Sequence, residues 1–582
     1  MSTFIRLTDY KSSDEKEQEF FNSENRYEAE QGNFEMIPGS PIAYWVSKKV
    51  NEIFEDSQKV GDLYDIKQGM ATSDNNRFIR YWTEVLFDKV GFNLNNLEEA
   101  NSLTYKWFPY NKGGEYRKWY GNNEYIVNYE NDGFELKEFQ STLSQGWSVR
   151  LKSREFYFQE SISWGLVSSD KFNVRFYPTG SIIDIGSNSL YADNKLFYLS
   201  LFNSKFINNI LKVINPSMNF PPIAIKALPI VYPETNILKE KINQLTQQNI
   251  DISKEEWDSR ETSWDFTQNE LIKHKIDSKI ETSYSNFCNY WQEQHNTLHQ
   301  NEEELNRLFI DIYELQDELT PDVELKDITI LKNETKIIDG VLVFQADEIM
   351  KQFISYGVGV MFGRYSLDSD GLLIANMGQE VPTDTTFEID DDNVIPVLED
   401  DYFKDDIASR FVQFVKTTFG EEDLSENIRF IESSLGTTIR KYFVKGFYED
   451  HIKRYKKRPI YWMVSSPNKS FNALFYMHRY ESDIFARVQN NYLREYVAKL
   501  EATKQTLHVV SGDESNSATE RSKATKEMDN ITKKIDEIIK YDRDHLTSFA
   551  QSKTEIDLDD GVKVNYCKFK DILYEFDKKL CD

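Results

Sequence analysis

A chain of 582 residues with 40% hydrophobic and 14% aromatic residues is too long for one ordinary core, so about three or four domains are expected. A net charge of -28 argues against a protein that coats nucleic acid without specificity, although a local basic face stays possible because exposed charges are screened beyond roughly 10 Å. No window supplies the roughly 18 uncharged apolar residues of a membrane span and the first residues carry no leader pattern, while three scattered cysteines (Cys288, Cys567, Cys581) fit a reducing cytoplasm better than a disulfide framework.

Residues 1–36 are polar and acidic and read as a helix or tether. An amphipathic helix is expected to begin near Ile42. Residues 61–230 mix short apolar runs with turn signals such as NKGG, GNN, ENDG and YPTG, the pattern of a mainly β or α+β domain. The run 197–215 reads as one helix ended by Pro216. Residues 235–320 are almost free of Gly and Pro and are predicted helical, with Leu305, Leu308, Ile312, Leu315 and Leu319 forming a seam at spacings of three and four. A mixed unit follows over 321–485, and 486–582 read as two long helices, joined by SGDESNSAT, with a tail; Met528, Ile531, Ile535 and Ile538 mark the buried side of the second helix. The fold class is α+β and multidomain, with boundaries at 1–36, 37–234, 235–320, 321–485 and 486–582.

Motifs for catalysis are absent from the sequence. An adenine methyltransferase holds its flipped base with an [Asn/Asp/Ser]-Pro-Pro-[Tyr/Phe] turn, and the nearest strings here are NPSM at 215 and FPPI at 220. No glycine-rich cofactor turn or phosphate loop is found. The pair His295 and His299 lacks the third ligand and the glutamate of a zinc site and reads as a solvated helix face. The acidic run Asp390-Asp391-Asp392 reads as a solvated loop, with a divalent ion as the alternative. No metal, cofactor or catalytic residue is assigned to this chain.

Two segments combine cations with aromatic rings. Residues 440–480 carry ten Lys and Arg against Glu449 and Asp450, a local balance of +8; Lys453, Arg454, Lys456 and Lys457 in its densest part either neutralise phosphates or form an exposed helix balanced by nearby acids. The stretch KWFPYNKGGEYRKWYGNNEYIVNYENDG, 106–133, joins cations, rings and a Gly-Gly pair. One reading makes it a DNA-facing loop carrying Lys112, Arg117, Lys118 and Asn122, with Trp119 and Tyr120 partly buried beneath. The other makes it an aromatic core turn. Arg150, Lys152 and Arg154 alternate at strand spacing and are expected to share a face, and Thr72, Asn75 and Arg77 are added from a neighbouring loop.

The strings IPGSPIAYWVS, QGMATSDNNRFIRYWTEV, KWFPYNKGGEYRKWYGNNEYIVNY, NPSMNFPPIAIKALPI, EEWDSRETSWDF, NEEELNRLFIDIYELQDELTP, FGRYSLDSDGL and KYFVKGFYEDHIKRYKKRPIYWMVSSP resemble the C-terminal half of the PglX family, the adenine-specific DNA methyltransferases of BREX phage defence. The family is similar in layout to single-chain type IIG restriction-modification enzymes. The resemblance implies a target-recognition domain over 37–234, a helical spacer over 235–320 and a C-terminal domain. It also implies that S-adenosylmethionine and catalysis belong to a methyltransferase domain preceding this region, so that this chain is inactive alone. Double-stranded DNA, a methyltransferase domain or subunit and other BREX proteins are the implied partners, in the cytoplasm and away from any membrane. The alternative is an acidic interaction module or DNA mimic, against which the dense cation clusters argue.

Overall fold

The computed structural model describes residues 1–582 except 9, 144–145, 169–170, 216 and 582, with the backbone alone at 31 and 33. The expected mixed α and β architecture is found, with several small sheets and long helices. The chain forms two compact units, each built from separated segments. The first comprises Met1–Asn75, Gly91–Trp257 and Gln292–Leu331; the second comprises Asn76–Val90, Asp258–Trp291 and Lys332–Asp582.

In the first unit, the strand Trp107–Asn111 lies between Ile182–Ile183, parallel to it, and Tyr125–Asn128, antiparallel. An antiparallel sheet runs in the order Ile66–Gln68, Ser187–Leu190, Ser161–Gly165, Arg175–Tyr177. Trp107, Trp164, Phe158 and Ile162 are buried among these strands. The N-terminal segment holds a two-stranded sheet, Ser2–Ile5 with Arg26–Ala29, around the helix Ser13–Glu19. The helix expected near Ile42 starts at Lys48, where Ser47 caps it by accepting from the Val50 N–H. The single helix expected over 197–215 is two, Lys195–Asn203 and Lys205–Ile214. Extended backbone at Ser204 breaks the run, and the same serine caps the second helix.

Residues 235–320 are mainly helical, as their composition predicts, with the long helices Asn236–Asp258 and Ile280–Ile312. The seam differs from the expected one. The helix ends at Ile312 and Glu314 is left-handed (φ 54°), so Leu315 and Leu319 lie beyond it. The buried row on this helix within the first unit is His295, Leu298, Glu302, Leu305 and Phe309. On Asn236–Asp258 the matching row is Ile242, Thr246, Asn249, Ser253 and Glu256. Both rows alternate steps of three and four, the spacing of one helix face, and Asn301 donates to Asn249 Oδ1 at 2.9 Å.

In the second unit, Tyr461–Ser465 and Asn472–Tyr476 form an antiparallel ladder with Ile395–Pro396 at its edge. The buried helix Ala346–Met361 carries Gly357 and Gly359. Arg494–Gly512 and Ala518–Tyr541 form the expected helical hairpin, with Ile531, Ile535 and Ile538 buried. Cys567 and Cys581 are joined in a disulfide, where the scattered cysteines were expected to form no disulfide framework; the bridge ties the end of the short helix Gly561–Cys567 to the C-terminal residues.

Candidate nucleic-acid interfaces

The aromatic loop of the first unit turns its central cations inward. Arg117 and Lys118 are buried, which corrects their placement on an exposed DNA-facing loop. Arg117 pairs with Glu256, donates through Nε to the Tyr120 carbonyl at 2.6 Å and lies 5.0 Å from the Trp257 ring centre. Lys118 pairs with Glu302, whose other oxygen accepts from the Trp119 indole at 2.7 Å. The loop backbone closes the same lock, because the Lys118 N–H donates to Thr329 Oγ1 at 3.1 Å. Leaving any of these charges unpaired inside a protein costs several kcal/mol, roughly 3–5 for a broken buried pair. Trp119 and Tyr120 are fully rather than partly buried. Gly121 makes the bend possible: its φ of +124° is one L-residues avoid, and a Cβ there would meet the Arg117 side chain and the Trp257 ring.

The other predicted residues of this unit lie around the loop. Lys112 is half-buried and 3.7 Å from Asp184, which also accepts from the Tyr110 hydroxyl at 2.7 Å. Asn122, left-handed at φ 61°, donates to the Glu115 carbonyl. Thr72 is buried and donates to Asn75 Oδ1 at 2.6 Å, while Asn75 itself is exposed. Arg150, Lys152 and Arg154 do not share a strand face. Arg150 ends the helical turn Trp147–Arg150, Lys152 is exposed in irregular chain, and Arg154 begins the turn Arg154–Phe156 after a left-handed Ser153. Arg154 grips Asp132 with Nη2, at 2.5 and 2.6 Å to its two oxygens. Burial opposes ionisation of Asp132, but the bonds from Lys137 and Arg154 outweigh it and hold its pKa below the ordinary value.

His295 is buried on its helix, not solvated as expected; burial and the neighbouring His299 bring its pKa down to about 4. His299 meets the Val323 carbonyl at 2.7 Å.

The second unit presents its cations differently. The helix Ile439–Tyr442 continues through a widened π turn, Phe443–Phe447, into Tyr448–Arg454. Buried Phe443, Phe447, His451 and Tyr455 step by four residues. A plain α-helix would rotate such a row away from the core, and the extra residue of the π turn brings it back. The opposite face therefore also keeps a four-residue step: Lys441, Lys445, Glu449 and Lys453 are all exposed, as is Lys457 just past the helix end. Among the described residues Lys441, Lys445 and Lys453 have no ion-pair partner. Lys457 reaches Asp577 at 2.8 Å, and Lys456, also exposed, shares with Lys457 a left-handed backbone. Arg454, predicted with this cluster, instead points inward, 3.1 Å from Glu261; burial works against its charge and the nearby Glu261 outweighs that. Arg77, also in this unit, is exposed with its guanidinium 5.0 Å from the Phe78 ring.

The run Asp390–Asp392 is not simply a solvated loop. Asp390 is buried, and burial together with Asp392 raises its pKa. The three carboxylates can place one oxygen each within 4.8 Å of one another. They also have protein donors, since Val394 N–H reaches Asp390 and Asp392 at 3.0 Å and the Tyr492 hydroxyl reaches Asp392.

The sequence reading missed Glu256 and Glu302, the two acids that draw the loop cations inside, and it did not single out Lys441, Lys445 or Arg175.

Comparison with known proteins finds adenine-specific methyltransferases to which this chain is similar in sequence. The chain is PglX-like over nearly its whole length: it is 36% identical over 597 residues to the adenine-specific methyltransferase PglX of Lacticaseibacillus casei (strain Zhang) and 35% identical over 608 residues to the adenine-specific methyltransferase BrxX of Escherichia coli O9:H4 (strain HS). Each alignment takes in 98% of this chain and 48% of the relative, so the chain spans about half the length of the curated relatives it matches. No protein-family model matches the chain.

Proposed function

We propose that this chain is the DNA-recognition part of a BREX-type adenine-N6 methyltransferase acting in phage defence. S-adenosylmethionine and the base-holding turn are carried by a methyltransferase domain or subunit with which it works. The observation that carries the reading is the alignment of nearly the whole chain with half of two adenine-specific methyltransferases. It is supported by the sequence, whose one Pro-Pro pair stands in FPPI and not in the turn that base-flipping methyltransferases need.

Within this reading, Lys441, Lys445, Lys453 and Lys456 hold the phosphate backbone. A four-residue helical step rises about 6 Å, so Lys441, Lys445 and, two steps further on past Glu449, Lys453 can meet separate phosphates along one strand. Such contacts give affinity and register but no sequence preference. Sequence reading falls to the first unit, where Asn75 and Lys152 are exposed and Lys112 and Asn122 half-buried.

The test has two arms. Binding of the purified chain to duplex DNA is measured across salt concentrations, and transfer of a labelled methyl group to DNA is measured with and without the methyltransferase part. Salt-dependent binding by the chain alone, with methyl transfer only after reconstitution, is the expected result. Methyl transfer by the chain alone, or no DNA binding at low salt, overturns the reading.

A further inference from the structure

Three cations of the first unit are fully buried, Arg117, Lys118 and Arg175, and among the described residues Arg175 differs from the other two. Arg117 has Glu256, Lys118 has Glu302 and Arg154 has Asp132. Arg175, only 1% exposed, has no carboxylate among the described residues. Its Nε and Nη2 reach the Tyr177 hydroxyl at 3.3 and 3.1 Å, and its Nη1 reaches Asn173 Oδ1 at 3.4 Å. These are neutral acceptors at long range, and among the described residues they leave a buried positive charge without its counter-charge, an arrangement that ordinarily costs several kcal/mol.

Arg175 also lines a cavity. The cavity holds about 10 Å³ and is lined by Gly114, Gly165, Val167, Ser168, Asn173 and Arg175, with Phe172 and Phe220 behind. That is room for about one water-sized group. Two glycines in its wall leave backbone where side chains would stand, and Gly113 of the same loop packs towards Gly165. The rim is fixed by backbone bonds: Phe220 N–H donates to the Leu166 carbonyl at 2.7 Å and Ser168 N–H to the Met218 carbonyl at 3.0 Å. Val167, at 62% exposure, and Met218 present apolar side chains there.

The geometry points to this cavity as an anion socket that takes one non-bridging oxygen of a DNA phosphate against Arg175. The proposal rests on the reading of the chain as a DNA-recognition part and assigns it a contact. The socket is too small for a whole phosphate, so the phosphorus stays outside at the Val167 rim while one oxygen enters. A phosphodiester oxygen supplies the missing negative charge, and a guanidinium–phosphate bond is among the stronger charge-assisted hydrogen bonds. Water enters the same space in the absence of DNA and satisfies the hydrogen bonds but not the charge.

Two experiments test it. Val167→Glu places a carboxylate at the exposed mouth without touching the core. It should leave the melting temperature unchanged, weaken binding of the full chain to duplex DNA at least tenfold, and lower the magnitude of the salt slope by about one. Crystals of the chain soaked in dimethyl phosphate should show an oxygen within hydrogen-bond reach of Arg175, lost in Arg175→Gln. Wild-type DNA affinity in Val167→Glu, while a variant with Lys441, Lys445 and Lys453 all changed to Gln weakens, overturns the socket and leaves the functional reading standing. If the wild-type chain binds no DNA, the functional reading fails, and the socket fails with it unless dimethyl phosphate occupies the Arg175 site.

Discussion

Two segments of this chain carry nearly the same composition, cations interleaved with aromatic rings, and the fold treats them in opposite ways. In 106–122 the central cations go inside, each onto a glutamate of a long helix, and the rings pack around them. In 439–457 the rings go inside and the lysines form an exposed row. The difference lies in what each backbone meets. The loop runs against two helices that offer Glu256 and Glu302 on buried faces, whereas the helix buries an apolar face of its own and leaves Lys441, Lys445 and Lys453 exposed. Composition alone does not say whether a cation reads DNA or fastens a core.

The sharpest way to break the comparison is to remove an acid from under the loop. Glu302→Ala strands the Lys118 charge and the Trp119 indole together and should cost about 3–5 kcal/mol in the first unit, read by denaturant unfolding with a probe local to that unit. Replacing the pair, Lys118→Met with Glu302→Leu, should recover most of this and leave about 1–3 kcal/mol for the orphaned indole N–H. Equal stability of Glu302→Ala and wild type would mean the loop is not held this way.

The same buried helix face makes a pH prediction. His295 sits one turn before Leu298 and two before Glu302, with its pKa lowered to about 4 from an ordinary 6.5. Between these values the unfolded chain binds the proton and the folded chain does not, so stability is full above about 6.5 and falls as pH drops towards 4. The loss approaches roughly 3 kcal/mol at the lower end. His295→Phe should flatten stability against pH over this window; an unchanged slope would assign the acid loss to other groups.

How much of this was legible follows from the same contrast. The helical content of 235–320, the hairpin of 494–541 and the buried Ile531, Ile535 and Ile538 are local patterns, and local patterns are visible in sequence. The buried seam 295–309 was hidden because His295 and Glu302 interrupt its apolar period. Glu302 is explained by Lys118 and Trp119, 184 and 183 positions away, and that pairing cannot be read from spacing. Arg150, Lys152 and Arg154 looked like a strand because alternation was the one signal available; a left-handed Ser153 breaks it. The exposed lysine row was visible as charge, but its alignment depends on a π turn that no composition announces.

Gly121→Ala sharpens the loop side more gently. The new methyl would strain a backbone at φ +124° and push against Arg117, for about 2 kcal/mol. Because Arg117 would have to leave Glu256, crystals of the variant should show the guanidinium displaced. An undisturbed Arg117 with wild-type stability would show that the bend tolerates a side chain.

The smallest effect on stability is expected where the effect on DNA is most diagnostic. Lys441, Lys445 and Lys453 are exposed and, among the described residues, unpaired, so converting all three to Gln removes no buried contact and should change unfolding by no more than about 0.5 kcal/mol per site. If each neutralises one phosphate, the slope of log affinity against log salt should lose about 2.7 in magnitude, and every duplex sequence should weaken alike. Arg454→Gln is the internal control. It lies in the same cluster but turns inward to Glu261, so it should cost stability and leave the salt slope almost unchanged. A triple variant with the wild-type salt slope would make the row a solvated face, and the two cation-rich segments would then differ in burial without differing in function.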